Sequence, residues 1–171
     1  IYKQILNIYS EKVGNTLGMK GDNTNTSIIL FDSISGGVGT SSMASACALH
    51  YAKKQKKVLY LNLEKFGGAD AFFSAEGQFN LSDVIYALKS RKANILLKLE
   101  SCVKQDARGV FFYAKPKVAL DMLELNSDEI INMILELKKS GVYDLIIIDT
   151  DLSMNKEFLQ VYRQAQSIVW V

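Results

Sequence analysis

The chain has 171 residues, of which 49% are hydrophobic and 22% charged, and its formal net charge is +2 at pH 7. This length is enough for one domain with a hydrophobic core, and so small a charge gives no indication of a nucleic-acid or membrane partner. No apolar run is long enough to cross a bilayer. Two cysteines are too few for a disulfide framework, so we expect free thiols and a cytoplasmic location.

The N-terminal part of the chain is predicted to be separate from the main domain. Ile1, Ile5 and Ile8 recur at helical spacing, which predicts a short amphipathic helix over residues 1–13. Residues 14–27 are polar, contain glycine and lack periodicity, as is typical of a linker. Because the sequence begins with Ile rather than Met and stops inside an apolar run, we expect a piece of a longer protein. The helix is then the tail of a preceding domain, an arm that packs on a partner, or a frayed terminus.

Beyond this linker, apolar strands alternate with helices. The predicted elements, in chain order, are a strand over 27–33, a helix over 41–54, a strand over 57–63, helices over 81–88 and 93–104, a strand over 109–114, a helix over 127–140, a strand over 143–149, a helix over 155–164 and a strand over 167–171. Strands that are apolar throughout and separated by helices are typical of a parallel sheet covered on both faces. We therefore predict a doubly wound α/β domain over residues 27–171, with a mainly parallel sheet and right-handed crossovers.

Three polar segments follow predicted strands. They are the loop around Gly36 and the segments 62–68 and 149–153. In doubly wound sheets, ligands bind beyond the carboxyl ends of the strands. The topology therefore predicts that the three segments meet at one edge of the sheet and form the functional site.

The stretch FDSISGGVGTSS, residues 31–42, has the composition of a phosphate-binding loop. A loop between a strand and a helix holds phosphate because successive backbone N–H groups point inward and the helix N-terminus carries partial positive charge. Gly36, Gly37 and Gly39 can supply the positive φ angles and the close approach that such a loop requires. The alternative interpretation is a tight structural turn.

Hydroxyl residues at the start of the next helix allow a comparison with the full P-loop pattern, G-x-x-x-x-G-K-[ST]. Thr40, Ser41 and Ser42 offer groups that can cap the helix or bind Mg²⁺. When the pattern is aligned on Gly39, Ser41 falls at the position of the Mg²⁺-binding hydroxyl. Ile34 replaces the first glycine, and Thr40 replaces the lysine.

The other two segments supply acidic side chains. Asp149 ends an apolar strand in the manner of a Walker B strand, which predicts an Mg²⁺ ligand together with Ser41. The alternative is an aspartate that caps the next turn. Glu64 can orient a water molecule or a metal-bound water, so it is the candidate catalytic residue. Asn62 can form hydrogen bonds but cannot act as a base.

Taken together, the three segments resemble the MinD/ParA group of P-loop ATPases, which carry a deviant Walker A motif. The family's K-G-G-x-G-K-[ST], D-x-D and I-I-I-D-T motifs correspond here to residues 35–41, 62–64 and 146–150. The resemblance implies a homodimer that binds ATP or ADP with Mg²⁺. It implies nucleotide binding by the loop residues Ser35, Gly36, Gly37, Val38, Gly39, Thr40, Ser41 and Ser42.

Within this group the sequence is most similar to the TadZ/CpaE branch, whose members position tight-adherence (Flp) pilus and secretion machines. The likeness lies in the lysine-poor loop GGVGTS and in residues 83–123. It implies pilus or secretion assembly proteins as partners, and recruitment of a cytoplasmic protein to the membrane or the cell pole. It also implies that a receiver-like domain precedes residues 1–26. We expect no nucleic-acid partner, because the aromatic residues fall mostly within predicted strands and helices.

The sequence departs from the family motifs at three positions. Both lysines are absent, since their positions hold Ser35 and Thr40, and the first acid of D-x-D is Asn62. A charge-assisted hydrogen bond contributes about 1.5–3 kcal/mol, so the loss of two weakens nucleotide binding by at least tens of fold. Turnover suffers more, because neutralising charge at the transferring phosphoryl group is most of the catalysis. We therefore expect binding with at most weak ATPase activity; an active ATPase that uses Glu64 and Lys65, and a nucleotide-free scaffold, are the alternatives.

Overall fold

The computed structural model describes residues 26–90, 94–151 and 156–171. The predicted N-terminal helix and almost all of the predicted linker lie outside the described residues. Within these ranges, no helix has the length and apolar character that are needed to cross a bilayer.

Strands and helices alternate along the described chain. The strands are β1 (Ser27–Asp32), β2 (Val58–Asn62), β3 (Lys104–Gln105), β4 (Phe111–Phe112), β5 (Leu145–Asp149) and β6 (Ser167–Trp170). The helices are α1 (Thr40–Lys53), α2 (Leu81–Lys89), α3 (Ile95–Cys102), α4 (Leu120–Leu123), α5 (Ser127–Lys139) and α6 (Leu159–Tyr162). Short 3₁₀ turns occupy Ala69–Ala71 and Lys156–Phe158.

These strands form one sheet in the order β3-β4-β2-β5-β1-β6. β5 lies between β2 and β1, and every pair is parallel except β3 with β4. In the ladder, Asp149 at the end of β5 lies opposite Phe31 of β1 and Asn62 of β2. The prediction of a doubly wound, mainly parallel α/β domain is confirmed.

Both faces of the sheet are covered, because its central strands carry apolar side chains on both sides. All residues of β2 and β5 are buried. Ile146 and Ile148 of β5 pack in one layer with α2, α3 and α5, whereas Leu145 and Ile147 pack in the other layer with α1. This division fixes the register of each strand, since a slip by one residue would exchange the two faces.

The helices α2 and α5 begin at capping boxes. The Asn80 side chain accepts a hydrogen bond from the N–H of Ser82, and Asp83 accepts one from the N–H of Asn80. Asn126 and Glu129 form the same reciprocal pair at the start of α5, at 2.9 and 3.1 Å. These contacts satisfy backbone N–H groups that would otherwise lack a partner at the helix ends.

The third predicted strand differs most from the structure. The sequence pattern predicts a strand over 109–114, but only the two-residue β4 pairs with β2. Lys104, predicted at the end of a helix, instead begins β3, which runs antiparallel to β4. The turn between them explains the reversal. The Asp106 carboxylate accepts hydrogen bonds from the backbone N–H and Nε of Arg108 at 2.9 and 2.7 Å, and Gly109 has a φ of 92°.

Two short helices also differ from the prediction. The predicted helix over 155–164 contains, in its described part, only a 3₁₀ turn and the single turn of α6. α4 has no counterpart among the predicted elements. One helical turn is too short for a hydrophobic period to be recognised in a sequence.

Candidate functional site

The glycine loop leaves β1 and turns directly into α1. Gly37 and Gly39 have φ angles of 81° and 97°, in the left-handed region that residues with a Cβ avoid. Gly39 is the N-cap of α1, and its carbonyl accepts the first helical hydrogen bond from the N–H of Met43 at 2.9 Å. No side chain in the described chain caps this helix end. Its first N–H groups are therefore not consumed by a side chain, which is the arrangement that binds anions.

A cavity of about 480 Å³ opens beside this loop. Its volume lies in the range of small-molecule sites. The cavity is lined by residues from all three predicted segments: Ser33, Ile34, Gly36, Gly37, Gly39, Thr40, Ser41, Ser42, Glu64, Thr150 and Asp151. The prediction that these segments meet at one edge of the sheet is confirmed for the described residues.

Asp149 lies buried at the end of β5, and its two carboxylate oxygens have different surroundings. Oδ2 accepts hydrogen bonds from the Tyr60 hydroxyl at 2.5 Å and from the Asn62 amide at 3.0 Å. Oδ1 is also buried, but it has no hydrogen-bond partner among the described residues. Burial raises the pKa of Asp149 to about 6, against the lowering effect of the Tyr60 hydrogen bond and with a further rise from the nearby Glu64 charge. A buried, unpaired carboxylate oxygen is costly, and a bound cation would remove that cost.

Glu64 links the start of α1 to the end of β2. Its Oε1 accepts a hydrogen bond from the Ser41 hydroxyl at 3.0 Å, and its Oε2 accepts one from the Asn62 amide at 2.9 Å. Ser41 also lies close enough to Asp149 to lower the pKa of that carboxyl. A hydroxyl has a single proton, however, so Ser41 cannot donate to Asp149 while it donates to Glu64. The backbone of Gly67 approaches the same carboxylate. A Cβ at this position would lie 2.0 Å from Oε2 of Glu64, so a larger residue would displace that side chain.

Most of the predicted site residues lie at the cavity, but not all of them. Ser35 and Val38 of the predicted nucleotide-binding loop are exposed and do not line it. The Ser35 carbonyl instead accepts a hydrogen bond from the Ser33 hydroxyl at 3.0 Å. Asp149 stands behind the lining, close enough to Glu64 for the two charges to interact. The binding and catalytic roles assigned to these residues stay predictions.

Several contributors to the site were not assigned from the sequence, among them Tyr60, Gly67 and Asp151. Tyr60 has the appearance of one more apolar residue of β2, and nothing in the pattern reveals that its hydroxyl holds Asp149. Gly67 belongs to a glycine pair after Glu64, and that pair was the available sign of a close approach. Asp151 falls inside the predicted segment, two residues after Asp149, and this spacing of two acids was the sign that it lines the same cavity.

Among the described residues that line the cavity there are acidic side chains and no lysine. Glu64 and Asp151 line it, and Asp149 adjoins it. In the described part of the chain, no ion pair involves these three carboxylates. Lys65 meets Asp151 through its backbone N–H, 3.3 Å from each carboxylate oxygen. The negative charge of the site is therefore not neutralised by a described side chain.

A second buried acid, Asp32, anchors the loop where it leaves β1. Its Oδ1 accepts a hydrogen bond from the N–H of Ser33 at 2.7 Å, and its Oδ2 accepts one from the Tyr162 hydroxyl. Burial raises the pKa of Asp32, while the hydrogen bond from Tyr162 opposes that rise. Tyr162 stacks on Trp170 of β6, with 6.1 Å between ring centroids. The start of the loop is thereby connected with α6 and β6.

Four exposed apolar side chains belong to the cavity lining or lie within two residues of it along the chain. Ile34 and Phe66 are 94% and 78% exposed, and Val38 and Met43 are about half exposed. We call these four residues the apolar rim. Exposed hydrophobic residues that gather around a site, rather than being scattered singly, are typical of an interaction surface.

The glycine loop between β1 and α1, at the carboxyl edge of a parallel sheet and beside a strand-end aspartate, defines an α/β domain of the P-loop NTPase type. Solved structures of this type match the chain. The septum site-determining protein MinD of Pyrococcus horikoshii, complexed with Mg-ADP, gives a TM-score of 0.67 at 18% identity, over 85% of this chain and 57% of that one. A ParA family ATPase from Chlorobium tepidum gives 0.64 at 19% identity, over 84% and 59%. The kinase domain of the Escherichia coli tyrosine kinase ETK gives 0.63 at 18% identity, over 86% and 56%.

These similarities establish the fold. The chain spans less than two thirds of the length of each of these structures, and the identities are too low to transfer an activity. No protein-family model matches the sequence, and no curated protein matches it. The chain thus shares the fold of MinD- and ParA-type ATPases, a fold that also serves a tyrosine kinase.

Alanine substitutions should distinguish two kinds of glycine in the loop. Gly39→Ala forces a φ of 97° on a residue with a Cβ, so we expect the free energy of unfolding to fall by about 1–2 kcal/mol. Gly36→Ala is the matched control, because a Cβ there meets no atom within 4 Å and the φ of Gly36 is not in the left-handed region. Urea denaturation measures the difference. Equal stability of the two variants would mean that the loop has a different backbone conformation.

Proposed function

We propose that the protein is an atypical MinD/ParA-like nucleotide-binding protein of the TadZ type, which binds ATP or ADP with Mg²⁺ and hydrolyses little or none of it. One observation carries this proposal. A glycine loop with an uncapped helix start lies beside a buried aspartate that keeps one oxygen unpaired. The first element suits a phosphate group and the second suits a cation, so together they suit a metal-bound nucleotide.

Ser41 and Asp149 are the residues that we expect to hold Mg²⁺. The Ser41 hydroxyl and the unpaired Oδ1 of Asp149 are hard oxygen ligands, and Mg²⁺ completes its coordination with water and with phosphate oxygens. The bound ion would supply positive charge beside the phosphates, as the two lysines do in the resembled family. The backbone N–H groups of residues 36–41 would supply the remaining phosphate contacts.

Weak hydrolysis follows from the charges of the site. Ser35 and Thr40 occupy the two positions at which the resembled family carries lysine. Little positive charge is therefore available to stabilise a transferring phosphoryl group. Both oxygens of Glu64, the candidate for orienting water, already accept hydrogen bonds, from Ser41 and Asn62. These contacts hold the carboxylate in place and leave Glu64 one further acceptor site on each oxygen for a water molecule.

The role that we propose is nucleotide-sensitive positioning of a Flp/Tad pilus or secretion apparatus. Its support is the resemblance of the GGVGTS loop and of residues 83–123 to the TadZ/CpaE branch. The shared fold with MinD, a septum site-determining protein, agrees with a positioning role. In this proposal the protein is cytoplasmic, is recruited to the membrane or cell pole, and contacts assembly proteins.

A second copy of the chain is the other partner that we propose. The apolar rim adjoins the proposed nucleotide site, so a second copy that covers it would bury apolar side chains and respond to what the cavity holds. The removal of apolar surface from water is the main driving force for such an association. The proposed homodimer is therefore linked physically to the proposed ligand.

Titration of the full-length protein with ATP, in Mg²⁺ and in EDTA, tests the nucleotide proposal. We expect binding in Mg²⁺ that weakens when the metal is removed. Ser41→Ala should lower the affinity in Mg²⁺ by about tenfold, because it removes one metal ligand. Ser45→Ala is the matched control, since it removes a hydroxyl from the same helix that donates only to the Ser42 carbonyl.

Two results of this titration would contradict the proposal. Absence of binding in the wild-type protein would favour the nucleotide-free scaffold, and equal losses in the two serine variants would exclude Ser41 as a ligand. Phosphate release from the same samples is expected at background level. Release that Glu64→Gln abolishes would instead support an active ATPase.

Restoration of one lysine should strengthen nucleotide binding. Thr40→Lys places an ammonium group where the resembled family carries one, and we expect an affinity gain of about tenfold or more, because a charge-assisted hydrogen bond contributes about 1.5–3 kcal/mol. Thr40→Met controls for length without charge, which matters because Thr40 is buried. A fluorescent nucleotide reports both affinities. Equal values would argue against phosphate binding at this loop.

Light scattering of the full-length protein, with and without Mg-ATP, tests the homodimer. We expect Ile34→Ser combined with Phe66→Ser to weaken self-association by at least about tenfold, since two exposed apolar side chains are lost from the rim. Val142→Ser is the control, because Val142 is an exposed apolar residue just before β5, at the opposite edge of the sheet. Self-association that survives the rim substitutions would exclude this surface.

A further inference from the structure

The Asn62 side chain lies between two carboxylates. Its Nδ2 donates to Oε2 of Glu64 at 2.9 Å and to Oδ2 of Asp149 at 3.0 Å. An amide nitrogen carries two protons, so one Asn62 side chain can serve both acids. The orientation of the amide follows from its neighbours, because the amide oxygen could not accept a proton from either ionised carboxylate.

This arrangement brings two like charges to one donor atom. Carboxylates that approach one another repel, and they stay together in a protein when a cation or a set of hydrogen-bond donors lies between them. In the described part of the chain, no ion pair involves Glu64 or Asp149. The donors are neutral groups: the Asn62 amide, the Ser41 hydroxyl on Glu64 and the Tyr60 hydroxyl on Asp149.

Asn62 donates a hydrogen bond to each acid, whereas the Ser41 hydroxyl, which also lies near Asp149, has a single proton that it donates to Glu64. The backbone position of Asn62 is fixed, because it lies opposite Asp149 in the ladder between β2 and β5. The side chain is also buried, at 7% exposure. The contact of Gly67 with Glu64 limits the space into which Glu64 could withdraw. The two carboxylates therefore cannot separate easily if the amide is lost.

We propose that Asn62 determines the cation dependence of this site: its amide bridges Glu64 and Asp149 and keeps the site assembled without a bound metal ion. An aspartate at this position would place three carboxylates together and make a divalent cation necessary for the stability of the domain. The inference concerns the same site as the proposed function, but it rests on the contacts of Asn62 and does not require that nucleotide binds.

Thermal unfolding of the wild-type protein and of Asn62→Asp, each in EDTA and in millimolar Mg²⁺ without nucleotide, tests this inference. We expect Mg²⁺ to change the wild-type Tm little. Asn62→Asp should lower the Tm in EDTA by about 4 °C or more, because two hydrogen bonds are lost and a charge is added. Mg²⁺ or Mn²⁺ should restore most of that loss.

Two further variants separate charge from other effects of the substitution. Asn126→Asp makes the same chemical change at the N-cap of α5, where an aspartate caps equally well, so its Tm should not fall in EDTA. Asn62→Asp combined with Glu64→Gln returns the number of carboxylates to two and places an amide beside them. We expect this double variant to be stable in EDTA. It therefore tests the inference even if the single variant does not fold without metal.

The Tm values of the single and double variants, in EDTA and in Mg²⁺, decide the inference. A metal-restored single variant together with a metal-independent double variant would support the inference. A single variant as stable as the wild type in EDTA, a loss that Mg²⁺ and Mn²⁺ do not restore, or a double variant as unstable as the single one would overturn it. Titration of the wild-type protein with Mg-ATP is independent of these measurements, so failure of nucleotide binding and failure of the inference give different results.

Discussion

The parallel pairing of β5 with both β1 and β2 is the constraint on which the site depends. It places Asp149 in one row with Phe31 and Asn62, so the loop after β1 and the polar residues after β2 begin at the same level of the sheet. The central strands are buried on both faces, which leaves no freedom to shift this register. The positions of Asn62 and Asp149 therefore follow from the packing of the hydrophobic core on both faces of the sheet, a core to which Tyr60 of the site itself belongs.

That dependence explains what the sequence could predict. The strands β1, β2 and β5 are apolar throughout, so their order and the edge at which their polar sequels meet follow from hydrophobic patterning and the rules of parallel sheets. The β3–β4 edge did not follow, because a two-residue strand carries no period and its reversal depends on the hydrogen bonds of Asp106. In the site, Glu64 and Asp149 were identified by position. Tyr60 was not identified, because in the sequence it reads as one more hydrophobic residue of β2, whereas in the structure its hydroxyl donates a hydrogen bond to Asp149.

The departures from the motifs of the resembled family concern the charge of the site at separate positions. A phosphate loop without lysine loses positive charge, and an acidic cluster without a cation would repel itself. Asn62 offsets part of the second problem, because its neutral amide donates to both Glu64 and Asp149. Under the proposed function, the remaining acids would make an incoming phosphate more dependent on a metal ion than it is in the resembled family. A reading of the loop alone would not have revealed this relation.

The stack of Tyr162 on Trp170 places an intrinsic fluorophore in contact with a residue that is hydrogen-bonded to the start of the loop. Trp170 is the single tryptophan of the chain, and Tyr162 donates its hydroxyl proton to Asp32, the residue that precedes the loop. Indole emission is sensitive to the polarity and geometry of its surroundings. A rearrangement of the loop that moves Asp32 would therefore shift Tyr162 against the indole, and the intrinsic fluorescence of the unmodified protein would report that movement without a dye.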